Sequence, residues 1–178
     1  MLGKFHLLIL LIVFRVLIIG PTGSGKTFLA QSFIEHHNIP CIQVRGPEIL
    51  DKYVGSSERA VRDLFNRARA IRPCVLFLDE LDSLVPRRGS NHSGVTDRIV
   101  NQFLTELDGT GDQSGVFIIA TSSRPDLIDA AITRAGRIDQ KIELNYPEIH
   151  ELRQVSTQHI FFIYPLSFYH RKIWGKKP

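Results

Sequence analysis

Short apolar runs alternate with amphipathic stretches along most of this chain. Residues 16–19, 41–44, 74–78, 115–120 and 142–144 are runs rich in Val, Ile and Leu that end at Gly, Pro, polar or acidic positions. All five predict strands, and the unbroken apolar run at 74–78 predicts one buried on both faces. Between them the spacing turns helical. Apolar residues at 28, 29, 30, 33 and 34 predict a helix that stops before Pro40, and Gly46-Pro47 opens a brief helical turn over 46–50. Val61, Leu64, Phe65, Ala68 and Ile71 line one face of a helix ending before Pro73. Val95, Ile99, Val100, Phe103, Leu104 and Leu107 line another, closed by Asp108-Gly109, with a polar, mobile loop expected over 86–94. Repeated strand–helix alternation predicts an α/β fold with a parallel sheet covered on both faces.

The apolar run at 7–14 changes this picture little. It is shorter than the roughly 20 residues a spanning helix needs, and it flows through Arg15 into the first strand without a small-residue cleavage site. Residues 1–15 are therefore expected to be an apolar lead, with a targeting role as the alternative and membrane association peripheral at most. With 178 residues, 43% hydrophobic and 22% charged, the chain has the composition of one globular domain. The formal net charge of +4 gathers in the tail, at His170, Arg171, Lys172, Lys176 and Lys177. No basic stripe interleaved with aromatics runs through the core, so nucleic acid is not an expected partner. Cys41 and Cys74 each open a strand and are expected to be buried and reduced, which suits a cytoplasmic compartment. The seven histidines lack metal-ligand spacing.

The chemistry starts where the first strand ends. Gly20-Pro21-Thr22-Gly23-Ser24-Gly25-Lys26-Thr27 matches G-x-x-x-x-G-K-[ST] between a strand and a helix, the context that a phosphate-binding loop requires. Its glycines allow a tight turn whose N–H groups point inward, and the helix dipole adds positive potential. Lys26 is expected to reach the β- and γ-phosphates of a bound phosphate chain, and the Thr27 hydroxyl to ligate Mg²⁺. The apolar run at 74–78 ends in Asp79-Glu80, beyond a carboxyl strand end where doubly wound sheets place their ligands. Asp79 is expected to hold Mg²⁺ through its water shell, and Glu80 to polarise the attacking water. A helix-capping acidic pair is the alternative.

These motifs, together with Lys52-Tyr53-Val54-Gly55, Ser123-Arg124-Pro125-Asp126 and Thr133-Arg134-Ala135-Gly136-Arg137-Ile138-Asp139, make residues 16–148 resemble the large subdomain of AAA ATPases. The resemblance implies a P-loop NTPase fold of the AAA type, a doubly wound parallel sheet in strand order 5-1-4-3-2. It implies a hexameric ring of neighbouring AAA subunits with ATP at each junction, bound by residues 20–27 with Phe28 beside them. Arg134 and Arg137 would be arginine fingers toward the neighbour's γ-phosphate, surface ion pairs being the alternative. Ser123 would stand where most relatives sense the γ-phosphate with Asn. Tyr53 and Val54 would grip a threaded polypeptide substrate, a core tyrosine being the alternative. Gly94-Val95-Thr96-Asp97-Arg98-Ile99-Val100-Asn101-Gln102, residues 121–129 and Pro73-Cys74 look most like the peroxisome-biogenesis branch. Members of that branch work with a second AAA ATPase to extract import receptors from the peroxisomal membrane.

Two regions depart from the family pattern. Relatives carry an upstream segment that packs against adenine, whereas only 19 mostly apolar residues precede the loop here, and residues 149–178 are expected to be a divergent tail too short for the helical lid, which is expected to be absent or truncated. A non-hydrolysing nucleotide-binding subunit with a structural role, or a different AAA protein unfoldase, is the competing reading. A phosphate-loop kinase or GTPase would need a substrate lid or a guanine-reading motif, and neither is found.

Overall fold

The computed structural model describes residues 15–52, 57–87, 94–109 and 115–146. In chain order the elements are β1 (Arg15–Ile19), α1 (Lys26–His37), β2 (Cys41–Arg45), α2 (Gly46–Lys52), α3 (Ser57–Ala70), β3 (Cys74–Asp79), α4 (Leu81–Leu84), α5 (Gly94–Gly109), β4 (Val116–Ser122), a 3₁₀ turn (Pro125–Leu127) and β5 (Gln140–Glu143). The strands form one sheet in the order β2-β3-β4-β1-β5, and every pairing is parallel. Read from the other edge this is 5-1-4-3-2, the order the resemblance implied. The sheet lies in a compact unit that ends at Asn145.

Side-chain alternation along the strands builds two apolar layers, one on each face. Leu17, Leu76, Leu78, Ile118 and Ala120 join Val61, Leu64, Phe65 and Ala68 of α3 and Ile99, Val100, Phe103 and Leu107 of α5. Val16, Ile18, Val75 and Phe77 point the other way, onto Ala30 and Ile34 of α1. Central β3 is buried at all of its positions, which is why its sequence shows no polar alternation.

The larger layer is fastened across α3 and α5. The Phe65 and Phe103 rings meet edge to face at 5.5 Å. Beside them Arg69 Nη2 donates to Glu106 Oε2 at 2.5 Å, and Gln102 Nε2 donates to Glu106 Oε1 at 2.9 Å. The mostly buried Glu106 carboxylate thus has a partner on each oxygen, as a desolvated charge requires.

The edges explain where the apolar pattern misleads. β2 is an edge strand with exposed positions alternating along it, so Cys41 is exposed, whereas Cys74 on β3 is buried. The expectation that both cysteines are buried fails for Cys41, since an apolar run does not say which strand will lie outermost. Phe28 and Leu29 are also exposed, on the outer side of α1. Ile71 falls just past the end of α3 and is solvent-facing. The segment expected as a loop from 86 begins with Pro86 bridged to Ile128, and Gly94 already belongs to α5. Residues 1–14, 88–93 and 149–178 lie outside the described residues, so the apolar lead, most of that loop and the tail do as well. Among the described residues no helix is long and apolar enough to cross a membrane.

Phe103 is fully buried at the α3–α5 contact. Phe103→Ala is expected to lower unfolding free energy by roughly 3–5 kcal/mol, the usual cost of such a cavity, measured as a shift in the urea midpoint at unchanged slope.

Candidate functional site

A parallel sheet delivers every carboxyl strand end to the same edge. β1 runs into Gly20, β3 into Asp79 and Glu80, and β4 ends level with β1, Ser122 pairing with Ile19. The loop after β1 takes its shape from glycine. Gly23 and Gly25 have φ of 83° and 95°, a region that L side chains rarely enter. A Cβ on Gly20 would overlap the carbonyl oxygen of Leu144. Gly25 caps α1 without a side-chain partner, leaving first-turn N–H groups directed at the loop's hollow.

Lys26, largely buried, donates from Nζ to the carbonyl oxygens of Gly20 at 2.9 Å and Pro21 at 2.8 Å. Burial pulls its pKa below the usual lysine value, while Asp79 and Asp82 pull the other way. Among the described residues, Ser24 Oγ is buried without a hydrogen-bond partner. A buried hydroxyl left open, positive-φ glycines and an ammonium group held against its own loop all fit a polyphosphate.

Across the hollow, Thr27 Oγ1 donates to Asp79 Oδ1 at 2.9 Å, so the two residues expected at Mg²⁺ are in contact. Among the described residues no group of three or more His, Cys, Asp and Glu could hold a metal by itself. A cation seated by Thr27 and Asp79 would take its remaining oxygens from phosphate and water, the usual Mg²⁺ arrangement. Glu80 is exposed, and it stands in the left-handed region at φ 58°, directly before α4. That bend lifts its carboxylate out of the strand toward solvent. The turn is packed from behind, because a Cβ on Gly46, the first residue of α2, would come within 2.5 Å of the Glu80 carbonyl oxygen.

Sequence reasoning missed three residues that shape this edge: Thr121, Ser122 and Asp82. Thr121 Oγ1 donates to Asp79 Oδ1 at 2.5 Å and accepts the Glu80 backbone N–H at 3.2 Å. Ser122 Oγ donates to Asp82 Oδ1 at 2.6 Å and accepts the Arg124 N–H at 3.0 Å. Arg124 Nε lies 3.5 Å from the other Asp82 oxygen. The available signal was a pair of hydroxyl residues closing an otherwise apolar strand, since buried hydroxyls need partners. Ser123 follows them, half-buried at the strand end.

The two expected fingers differ in their surroundings. Arg134 is exposed. The Arg137 guanidinium forks onto Asp108 at the end of α5, Nε to Oδ1 and Nη2 to Oδ2 each at 2.8 Å, and Nη1 donates to the Ala131 carbonyl at 2.8 Å. Arg15 Nη1 donates to the Gly136 carbonyl at 2.6 Å, tying the same loop to the start of β1. Within one chain, Arg137 thus makes the ion pair that was its alternative reading. Tyr53 and Val54 lie outside the described residues, and Phe28 lies exposed on α1.

Two variants test this geometry. Gly20→Ala is expected to destabilise the chain by about 1–3 kcal/mol through backbone strain and to abolish ATP retention, read by thermal melting with and without nucleotide. The Arg137 hydrogen bonds hold the Asp108 pKa below the usual aspartate value, so the pair stabilises the fold above about pH 4 and is lost as pH falls through the depressed value. Asp108→Asn should therefore cost up to about 1 kcal/mol at pH 7 and nothing below that titration, as followed by urea unfolding at the two pH values.

A profile of the family described as "ATPase family associated with various cellular activities (AAA)" matches residues 16–146. Peroxisomal ATPase PEX1 of Dictyostelium discoideum is 54% identical over 142 residues, 80% of this chain and 12% of that protein. Peroxisomal ATPase PEX1 of Homo sapiens is 51% identical over 133 residues, 75% of this chain and 10% of that protein. An uncharacterized AAA domain-containing protein of Schizosaccharomyces pombe is 53% identical over 136 residues, 76% of this chain and 18% of that protein. The chain thus spans under a fifth of the length of each of these relatives. With a profile match across most of its length, a sheet in the 5-1-4-3-2 order and a phosphate loop facing Asp79, the chain belongs to the AAA family of ATPases.

Proposed function

We propose that this chain binds ATP with Mg²⁺ and hydrolyses it as one AAA module of a hexameric ring, driving the extraction or remodelling of protein substrates in peroxisome biogenesis and matrix protein import. The observation that carries the reading is the convergence of Lys26, Thr27, Asp79 and Glu80 at one sheet edge. Lys26 would leave its loop carbonyls for the β- and γ-phosphates, exchanging neutral acceptors for charged ones. Mg²⁺, seated by Thr27 and Asp79, would supply charge neutralisation at those phosphates. Glu80 would accept a proton from the attacking water, its exposed carboxylate standing clear of the strand. Ser123 would hydrogen-bond the γ-phosphate or that water.

Arg134 and Arg137 would act in trans on a neighbour's nucleotide, worth on the order of 10³-fold in rate. Arg134 can do so as it stands, whereas Arg137 must first part from Asp108. The name "Peroxisomal ATPase PEX1" that relatives carry supports a peroxisomal role; the work would be done from the cytoplasm, peripheral at the peroxisomal membrane, with peroxisome biogenesis factor 6 as the partner subunit. Tyr53 and Val54 would contact the threaded polypeptide.

Phosphate release with partner subunits present tests the reading. Lys26→Ala is expected to lose nucleotide binding, and Glu80→Gln to keep binding while losing turnover by about 10²-fold or more. Arg134→Ala should retain binding and slow turnover in the mixed ring. Equal, negligible release by wild type and all variants would instead favour a non-hydrolysing structural subunit.

A further inference from the structure

We propose that Thr121 is a positioning residue for both acids of the hydrolytic edge, fixing the Asp79 carboxylate and the Glu80 backbone through a single hydroxyl. The inference rests on the ATPase reading and adds a residue that the nucleotide motifs do not contain. Thr121 sits on β4 beside the end of β3, with only 1% of its surface exposed. Its register partner on β1 is Ile18, one residue before the end of that strand.

The hydroxyl has one proton to give. The Glu80 N–H occupies its acceptor side at 3.2 Å, so the proton is directed at Asp79 Oδ1, 2.5 Å away. The same carboxylate oxygen also accepts from Thr27 at 2.9 Å. Two hydroxyls thus share Oδ1. Were Thr27 to turn toward a metal, Thr121 would remain as the donor on Oδ1 and would oppose rotation of the carboxylate. The Glu80 end of the bridge matters as much. Glu80 holds φ at 58°, a conformation that a non-glycine residue keeps only when its surroundings enforce it. The bond from its N–H to Thr121 is such a constraint, and it sets where the Glu80 side chain leaves the backbone. One residue away, Ser122 braces Asp82 in the same fashion, so the turn between β3 and α4 is held at both ends by neighbouring hydroxyls of β4.

The test compares Thr121→Val, which keeps the shape and removes the hydroxyl, with Thr121→Ser, which restores it, in the full chain with partner subunits. Three readouts are taken: kcat and KM for ATP, the Mg²⁺ concentration needed for binding a fluorescent ATP analogue, and hydrogen exchange of the Glu80 amide without nucleotide. Thr121→Val is expected to lower kcat about 10-fold or more, the scale of one hydrogen bond to a charged group. KM should change little, the Mg²⁺ requirement should rise several-fold, and the Glu80 amide should exchange faster. Thr121→Ser should recover most of each effect. A valine variant that melts earlier yet keeps kcat, Mg²⁺ requirement and amide protection would overturn the proposal. If wild type binds ATP without turning it over, the ATPase reading fails separately, and the amide exchange and Mg²⁺ requirement still decide the role of Thr121.

Discussion

The buried Asp79 carboxylate is the charge on which the carboxyl edge of the sheet depends. It ends a strand that is covered at every position, and a desolvated carboxylate is costly unless donors surround it. Thr27 comes to it from α1 and Thr121 from β4, while Lys26 stands near enough to feel its field. One acceptor thereby fixes the register of three chain segments that are far apart in sequence. The phosphate loop cannot shift against the acidic strand without breaking the Thr27 bond, and β4 cannot slide without breaking the Thr121 bond.

Much of this could be read from the residues. Apolar runs bounded by Gly, Pro and acids gave the strands to within one or two residues, because β1, β3 and β4 are interior and their burial leaves no polar alternation to confuse the pattern. The phosphate loop and the Asp79–Glu80 end were legible because their chemistry demands fixed residue types at fixed spacing. What escaped was relational. Cys41 looked like core, and only its place on the outermost strand leaves it exposed. Thr121 and Ser122 lie outside the nucleotide motifs, and their acceptors lie about forty residues earlier. The fork between Arg137 and Asp108 was hidden for the same reason, since a polar residue closing a helix and an arginine in a later loop have no spacing rule to join them.

That fork separates two arginines which motif reasoning treats alike. Asp108 ends α5, and α5 packs against α3 through Phe103 and Glu106. The loop carrying Arg134 is therefore anchored at Arg137 to the larger apolar layer and at Gly136 to Arg15 of β1. The trans role proposed for Arg134 would need a stiff base, and these two attachments supply one without using the guanidinium of Arg134.

Gly46 carries a consequence of a mechanical kind. Nothing but hydrogen separates its α-carbon from the Glu80 carbonyl, and Ser83 and Leu84 crowd it from the side. At Gly46 the contact between α2 and the turn after β3 is thus backbone on backbone, while Ile49 of α2 joins Leu81 and Leu84 in the larger apolar layer. At this point a shift of α2 against the turn would meet the Glu80 carbonyl directly, with no side chain of Gly46 to take it up.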